Sequence, residues 1–203
     1  SQYAQDSPVY NRAFAVRLKG AIDLFRIQQS ISQVVNRHEV LRTNYGTVEG
    51  VPMQSVGPVR SVPITIVDLT GGPESSRLSA AADWARNEMS RPFSLASDLM
   101  LRAGVAKLDR DDHVLLLVTH HIAFDATSQK PFLEDLAAAY EGRLGPAAAD
   151  ALNYRDFANW EATQTADACD GLLSWWKREL AGIPKAHRFP TDFSRPARQS
   201  LRG

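Results

Sequence analysis

Hydrophobic and polar positions change period several times along the chain, and each change predicts an element. Ala13 to Leu18 reads as a strand entered from the turn-like Asp6-Ser7-Pro8, and Gly20 breaks it. Asp23 is placed to cap a helix running to about Asn36, whose apolar positions Leu24, Ile27, Ile31, Val34 and Val35 share one face. A strand follows over Val40 to Tyr45. Gly46 to Pro52 then turns the chain into a second strand, Met53 to Val56. Val62 to Leu69 alternates as another strand, stopped by Gly71-Gly72-Pro73. Glu74 to Arg91 is an alanine-rich helix with a stripe of Leu78, Ala82, Ala85 and Met89.

The strongest hairpin signal joins Leu99–Leu108 to His113–Thr119 through the polar turn Asp109-Arg110-Asp111-Asp112. Its second arm is apolar throughout from Val114 to Val118, so it should be buried on both faces. A helix begins near Ser128, with Phe132, Leu133, Leu136, Ala137 and Tyr140 inward. The loop Gly142 to Asp150 leads to helical stretches near Tyr154–Gln164 and Ala168–Ala181, and a polar, proline-broken tail runs from Pro184. Strands alternating with helices predict an α/β sandwich, and the hairpin makes its sheet mixed rather than purely parallel.

Composition narrows the function classes. Twenty-three basic residues offset twenty-three acidic ones, so a polyanion surface is not favoured and nucleic acid is not an expected partner. No apolar run approaches the ~20 residues of a membrane span, and no membrane partner is expected. The single Cys169 excludes an internal disulfide and a multi-cysteine zinc site, and is compatible with a reducing cytosol. Glycine loops for phosphate and a Gly-x-Ser-x-Gly elbow are both absent.

What remains is a buried strand running straight into His120-His121, with Asp125 just before a helix. A side chain at the end of a buried strand is held firmly yet sits where a cleft can open, as a general base requires. Histidine, with an unperturbed pKa near ~6.5, is substantially neutral around pH 7. Neighbours on a strand point to opposite faces, so the two histidines should differ in role. Asp125 could orient an imidazole or hold the turn through an arginine. On residue types alone the pair reads equally as packing or turn residues and as catalytic ones. Zinc is the weaker reading, because His38 and His113 stand at no ligand spacing from the pair, and His187 in the polar tail reads as solvated.

His120 to Ala126 resembles the His-His-x-x-x-Asp-Gly motif of nonribosomal peptide synthetase condensation domains and related chloramphenicol-acetyltransferase-like acyltransferases. Asn36 to Tyr45 resembles their Arg-His-x-x-Leu-Arg-Thr-x-aromatic motif, and Asn153 to Trp160 their Tyr-x-Asp-aromatic-Ala-x-Trp motif. Arg91-Pro92-Phe93-Ser94-Leu95 and Trp175 to Leu180 are also similar to this family, so the likeness spans most of the chain in order.

The resemblance implies one lobe of a V-shaped pseudodimer with a chloramphenicol-acetyltransferase-like α/β sandwich. It assigns residues 1–182 to the N-terminal lobe and 183–203 to a linker. It makes His121 the catalytic residue, facing the acceptor amine as that amine attacks a donor thioester. His120, Asp125, Arg37 and Arg42 would support the site, with Asp125 paired to Arg37, and Ala126 would line the substrate tunnel. No cofactor would bind directly, since substrates ride on the phosphopantetheine arms of carrier proteins. Partners would be donor and acceptor carrier domains, the C-terminal lobe and an adenylation domain, in the cytoplasm.

Two departures stand out. Ala126 replaces the motif glycine, so either the backbone there is ordinary or the tunnel is altered. The family's first motif and second lobe are not seen, so the chain reads as a piece of something longer and is expected not to catalyse condensation alone. The competing readings are a non-catalytic platform that recruits a tailoring enzyme, and a free-standing thioester-dependent acyltransferase. Epimerisation domains share the double histidine, but the Arg37-to-Tyr45 match fits condensation better.

Overall fold

A computed structural model of the protein describes residues 7–148, 151–164, 166–184, 190 and 192–194. Asp150, His187 and most of the tail expected from Pro184 onward lie outside the described residues, as do residues 1–6. The chain divides into two compact units, Ser1–Arg155 and Asp156–Gly203.

In the first unit, strands β1 (Asn11–Lys19), β4 (Ile64–Asp68), β5 (Leu101–Asp109) and β6 (Asp112–His120) form a sheet in the order β1-β6-β5-β4. The β1–β6 and β6–β5 pairs are antiparallel and β5–β4 is parallel, so the sheet is mixed as expected. Arg17 and Lys19 on β1 both reach Asp112, at 2.6 and 2.9 Å, and tie the free end of that pair. At its other end Asn11 lies opposite His120. The short separate hairpin β2 (Thr43–Val48) and β3 (Val51–Val56) completes the strands.

Helices α1 (Leu24–Arg37) and α3 (Gln129–Tyr140) cover one face of the sheet, and α2 (Glu74–Ser90) covers the other. Side-chain alternation on β6 serves both layers: Leu115 and Leu117 pack with Ile27, Ile31, Val34, Phe132 and Leu136, whereas Val114, Leu116 and Val118 pack towards α2. Every residue from His113 to His120 is buried, which is why this arm carries no polar alternation. Asp23 caps α1, its carboxylate accepting the Arg26 N–H at 3.0 Å.

Four segments differ from their sequence pattern. Glu39–Arg42 is a 3-10 turn rather than the start of a strand. Thr43 donates to the Glu39 carbonyl at 2.8 Å and Leu41 drops into the core, so pairing begins only at Thr43. The hairpin turn is Glu49-Gly50, both at positive φ, so strand pairing runs through Gly46 to Val48 and Val51-Pro52, residues the pattern assigned to a turn. On α2 the inward face carries Arg77, Ala81, Trp84, Ala85 and Glu88, while Leu78 and Met89 are 53% and 42% exposed. Arg77 is held in that position by hydrogen bonds to the carbonyls of Thr70, Gly72 and Leu108. On α3, Ala139 rather than Ala137 is buried.

The second unit contains α5 (Ala166–Glu179) and most of α4 (Tyr154–Thr163). Among the described residues no helix is long and apolar enough to cross a membrane.

Candidate active site

Strand β6 ends at His120, and the chain turns at once. His120 is 8% exposed and lies on the α2 side of the sheet, with its ring 6.0 Å from the rings of both Tyr10 and Phe93. Its Nδ1 accepts the Ile122 N–H at 3.1 Å, so the neutral ring carries its proton on Nε2. Burial pushes the His120 pKa down from the usual imidazole value, and the neighbouring His121 adds to this. His120 is thereby kept neutral.

His121, one residue on, is exposed. Its backbone is nonetheless anchored: its N–H donates to the Tyr10 carbonyl at 2.8 Å, and the Ala123 N–H closes the turn on the His120 carbonyl at 3.0 Å. A strand-end turn tied at three points therefore presents the exposed imidazole of His121. The two histidines divide in burial because β6 ends at His120 and His121 stands in the turn beyond it.

Asp125 opens α3. Its Oδ1 accepts from the Ser128 hydroxyl at 2.6 Å, the Thr127 hydroxyl at 2.8 Å and the Ser128 N–H at 2.9 Å. The Ser128 Oγ in turn accepts the Asp125 N–H at 3.2 Å, a reciprocal arrangement like a capping box. These hydroxyl bonds, with backbone help, hold the Asp125 carboxyl down at about 2. Ala126 is exposed and does not have positive φ, so the backbone is ordinary where the motif has glycine.

Arg37 is not the partner of Asp125. Its Nε lies 3.2 Å from Asp135 Oδ2, and its Nη1 donates to the Gly145 carbonyl at 2.8 Å. His38 Nε2 meets the same Asp135 oxygen at 2.7 Å. The C-terminal end of α1 lies against the middle of α3, and Asp125 uses its acceptor capacity on its own turn. Arg42 is likewise directed elsewhere, to the Gly57 carbonyl and to Glu39 at 3.5 Å, and Glu39 also meets Arg155 at 3.4 Å. His120, His121, Asp125 and Ala126 thus lie along the connection from β6 to α3, whereas Arg37 and Arg42 brace the α1–β2 connection.

Tyr10, Phe93, Met100 and Asp135 were not recognised as parts of this arrangement from the residue pattern. Met100 contributes only a carbonyl, which accepts the His120 N–H at 3.2 Å. Phe93 falls in the Arg91-to-Leu95 segment of the family likeness, the one signal that could have found it. Among the described residues, no group of three or more His, Cys, Asp or Glu side chains is placed to hold a metal ion.

A pH experiment separates the cap from the histidine. A carboxyl depressed in the folded state stabilises above its unfolded value of ~3.9, and that contribution is lost as pH falls through the folded value. Asp125→Ala is therefore expected to melt lower than wild type at neutral pH, with the gap closing as pH drops through about 2. For His120 the sign is the same and the pH window lies higher. Its folded pKa is depressed, so stability falls as pH drops below ~6.5, where only the unfolded imidazole takes up the proton. Calorimetric melting of wild type, Asp125→Ala and His120→Gln across pH checks both.

The chain is similar to known proteins along nearly its whole length. The chain is 36% identical over 214 residues to isonitrile lipopeptide synthase of Mycobacterium tuberculosis (strain ATCC 25618 / H37Rv), a match using 100% of this chain and 8% of that protein. It is 32% identical over 209 residues to tyrocidine synthase 2 of Brevibacillus parabrevis, using 100% of this chain and 5% of the relative. Among solved structures, the complex of the X-domain and OxyB from teicoplanin biosynthesis matches with a TM-score of 0.77 at 29% identity, covering 97% of this chain and 43% of that one. The chain thus spans a small part of the synthetases it matches. The family model for the condensation domain matches residues 1–203, and the chain belongs to the condensation-domain family of nonribosomal peptide synthetases.

Proposed function

We propose that this chain is the N-terminal lobe of a domain that joins a carrier-bound aminoacyl or peptidyl donor to a carrier-bound aminoacyl acceptor through an amide bond. The observation that carries the reading is the exposed imidazole of His121 on a backbone turn tied to Tyr10 and His120. In this reaction the acceptor nitrogen attacks the donor thioester carbon. The C–N bond forms, the C–S bond breaks, and the proton lost by the amine ends on the departing thiolate. His121 holds the amine N–H while its lone pair approaches the carbonyl, in a geometry that a firmly anchored turn can keep.

His120 supports the turn by packing, Asp125 by closing the 125–128 turn ahead of α3, and Arg37 and Arg42 by bracing the α1–β2 connection. Residues 1–182 belong to this lobe and 183–203 lead on to its partner lobe. Substrates arrive on phosphopantetheine arms of donor and acceptor carrier domains, with an adenylation domain supplying the activated amino acid. No cofactor is held by the lobe itself, and the assembly works in the cytoplasm.

A second reading, a platform that docks a tailoring enzyme, is favoured by the likeness to the X-domain solved with OxyB. Carrier proteins preloaded with donor and acceptor distinguish the two. With the complete protein that contains this chain, condensation gives amide product bound to the acceptor carrier, detected by mass. The platform leaves both carriers unchanged and instead retains a tailoring enzyme on a column.

A further inference from the structure

The turn that carries His121 is held from the α2 side of the sheet by a residue absent from every motif above. Arg102, on β5, turns its guanidinium onto the end of α2. Nη2 donates to the carbonyls of Glu88 and Arg91 at 3.1 and 2.6 Å, and Nη1 to that of Pro92 at 3.1 Å. The same guanidinium stacks on the Phe93 ring, 3.8 Å from its centroid. Its charge is offset by the carbonyls at the negative end of α2 and by the nearby carboxylates of Glu88 and Asp98. Burial, the larger influence, and nearby Arg91 lower its pKa from the usual guanidinium value.

Asn11, on β1, grips the same helix end, donating from Nδ2 to the Met89 and Arg91 carbonyls at 2.6 and 2.7 Å. Strands β1 and β5 flank β6 on either side, so the end of α2 is clamped across the strand that bears His120. The clamp leaves Phe93 buried with its ring packed on Val118 and Leu116, edge-on to His120. Tyr10, beside Asn11, covers another side of His120, and its carbonyl takes the His121 N–H.

We propose that Arg102 is a positioning residue for His121, acting through Phe93 to fix the His120 ring, whose Nδ1 bond to Ile122 sets the turn that presents His121. The proposal rests on the reading of His121 as the functional histidine. A side chain that only capped a helix would alter melting and leave the ring state of His120 untouched. A lysine at this position keeps the charge but cannot fork onto three carbonyls while lying flat on an aromatic ring.

The test uses the complete protein and preloaded carriers, with Arg102→Lys, Phe93→Leu and His121→Ala made in parallel. Nitrogen-15 spectra of the imidazoles in this chain read the His120 tautomer directly. Arg102→Lys is expected to lower kcat by about 10- to 100-fold with KM changed by no more than about twofold, because bound substrate is unaffected while the reacting group is misplaced. Its spectra should show loss of the single Nε2–H form of His120, and Phe93→Leu should do the same even where an Arg102 variant folds poorly.

Unchanged kcat in Arg102→Lys with the His120 signals intact overturns the proposal. So does a fall in activity that follows melting alone, with those signals unmoved. If His121→Ala retains full turnover, the functional reading of His121 fails. The His120 spectra then still decide whether Arg102 governs that ring.

Discussion

Replacing His121 with alanine in the complete protein is expected to reduce the rate of amide formation by about 10²- to 10⁴-fold, the usual contribution of a positioned acid–base side chain. The side chain is exposed and its backbone anchors are main-chain bonds, so alanine keeps the turn and melting should barely change. A drop confined to kcat would mark an interaction made as the amine attacks. His120→Ala should differ in kind. It empties a buried site between Tyr10 and Phe93 and removes the acceptor of the Ile122 N–H, so activity and melting should fall together. Single-turnover product formation beside thermal melting separates the two variants. If His121→Ala retains wild-type turnover, the platform reading replaces condensation.

That contrast between adjacent histidines was legible in the sequence because it depends on local geometry alone. An apolar run too continuous for a half-exposed strand must be buried on both faces; β6 extends one residue past the expected end at Thr119, which keeps His120 in the core and puts His121 outside it. The Asp23 cap and the Asp109–Asp112 turn were legible for the same reason, being written within a few residues. Partners set by packing were not. Arg37 meets Asp135 rather than Asp125 because of how α1 crosses α3, and no spacing in either segment encodes that crossing. The turn-closing role of Asp125 is legible in principle, since Asp125, Thr127 and Ser128 form a polar cluster just ahead of a helix. The arginine implied by the family likeness drew the reading away from it.

Helix α2 shows the same limit from the other side. Its apolar stripe of Leu78, Ala82, Ala85 and Met89 has good helical spacing, yet the inward face is rotated towards Arg77, Ala81 and Trp84. Two features of the sheet decide this. Loop carbonyls need the Arg77 guanidinium, and β5 offers a gap at Gly104 into which the Trp84 indole fits. Neither the carbonyls nor the gap appears in the periodicity of residues 74–90. Only a count of polar groups needing partners would have raised Arg77 as an inward residue.

Gly104 supports the last prediction. A Cβ built there would lie 2.7 Å from Trp84 Cζ2 and 3.0 Å from the Thr65 carbonyl oxygen of the paired strand β4. Alanine in a strand interior would otherwise stabilise relative to glycine by roughly 0.5–1 kcal/mol. Overpacking costs about 1–3 kcal/mol, so the clash should win and Gly104→Ala should unfold at lower denaturant. Gly104→Val, with two further methyl groups in the same space, should lose more.

The indole and the backbone oxygen can be told apart by a double-mutant cycle with Trp84→Leu, which removes the ring atoms nearest the added methyl. The double variant should be less destabilised than the sum of the single ones, with a coupling of about 0.5–3 kcal/mol for residues in direct contact. Additive losses would place the constraint on the Thr65 carbonyl instead. A Gly104→Ala protein as stable as wild type would mean that α2 does not press Trp84 into the sheet, and the inward face assigned to that helix would be wrong.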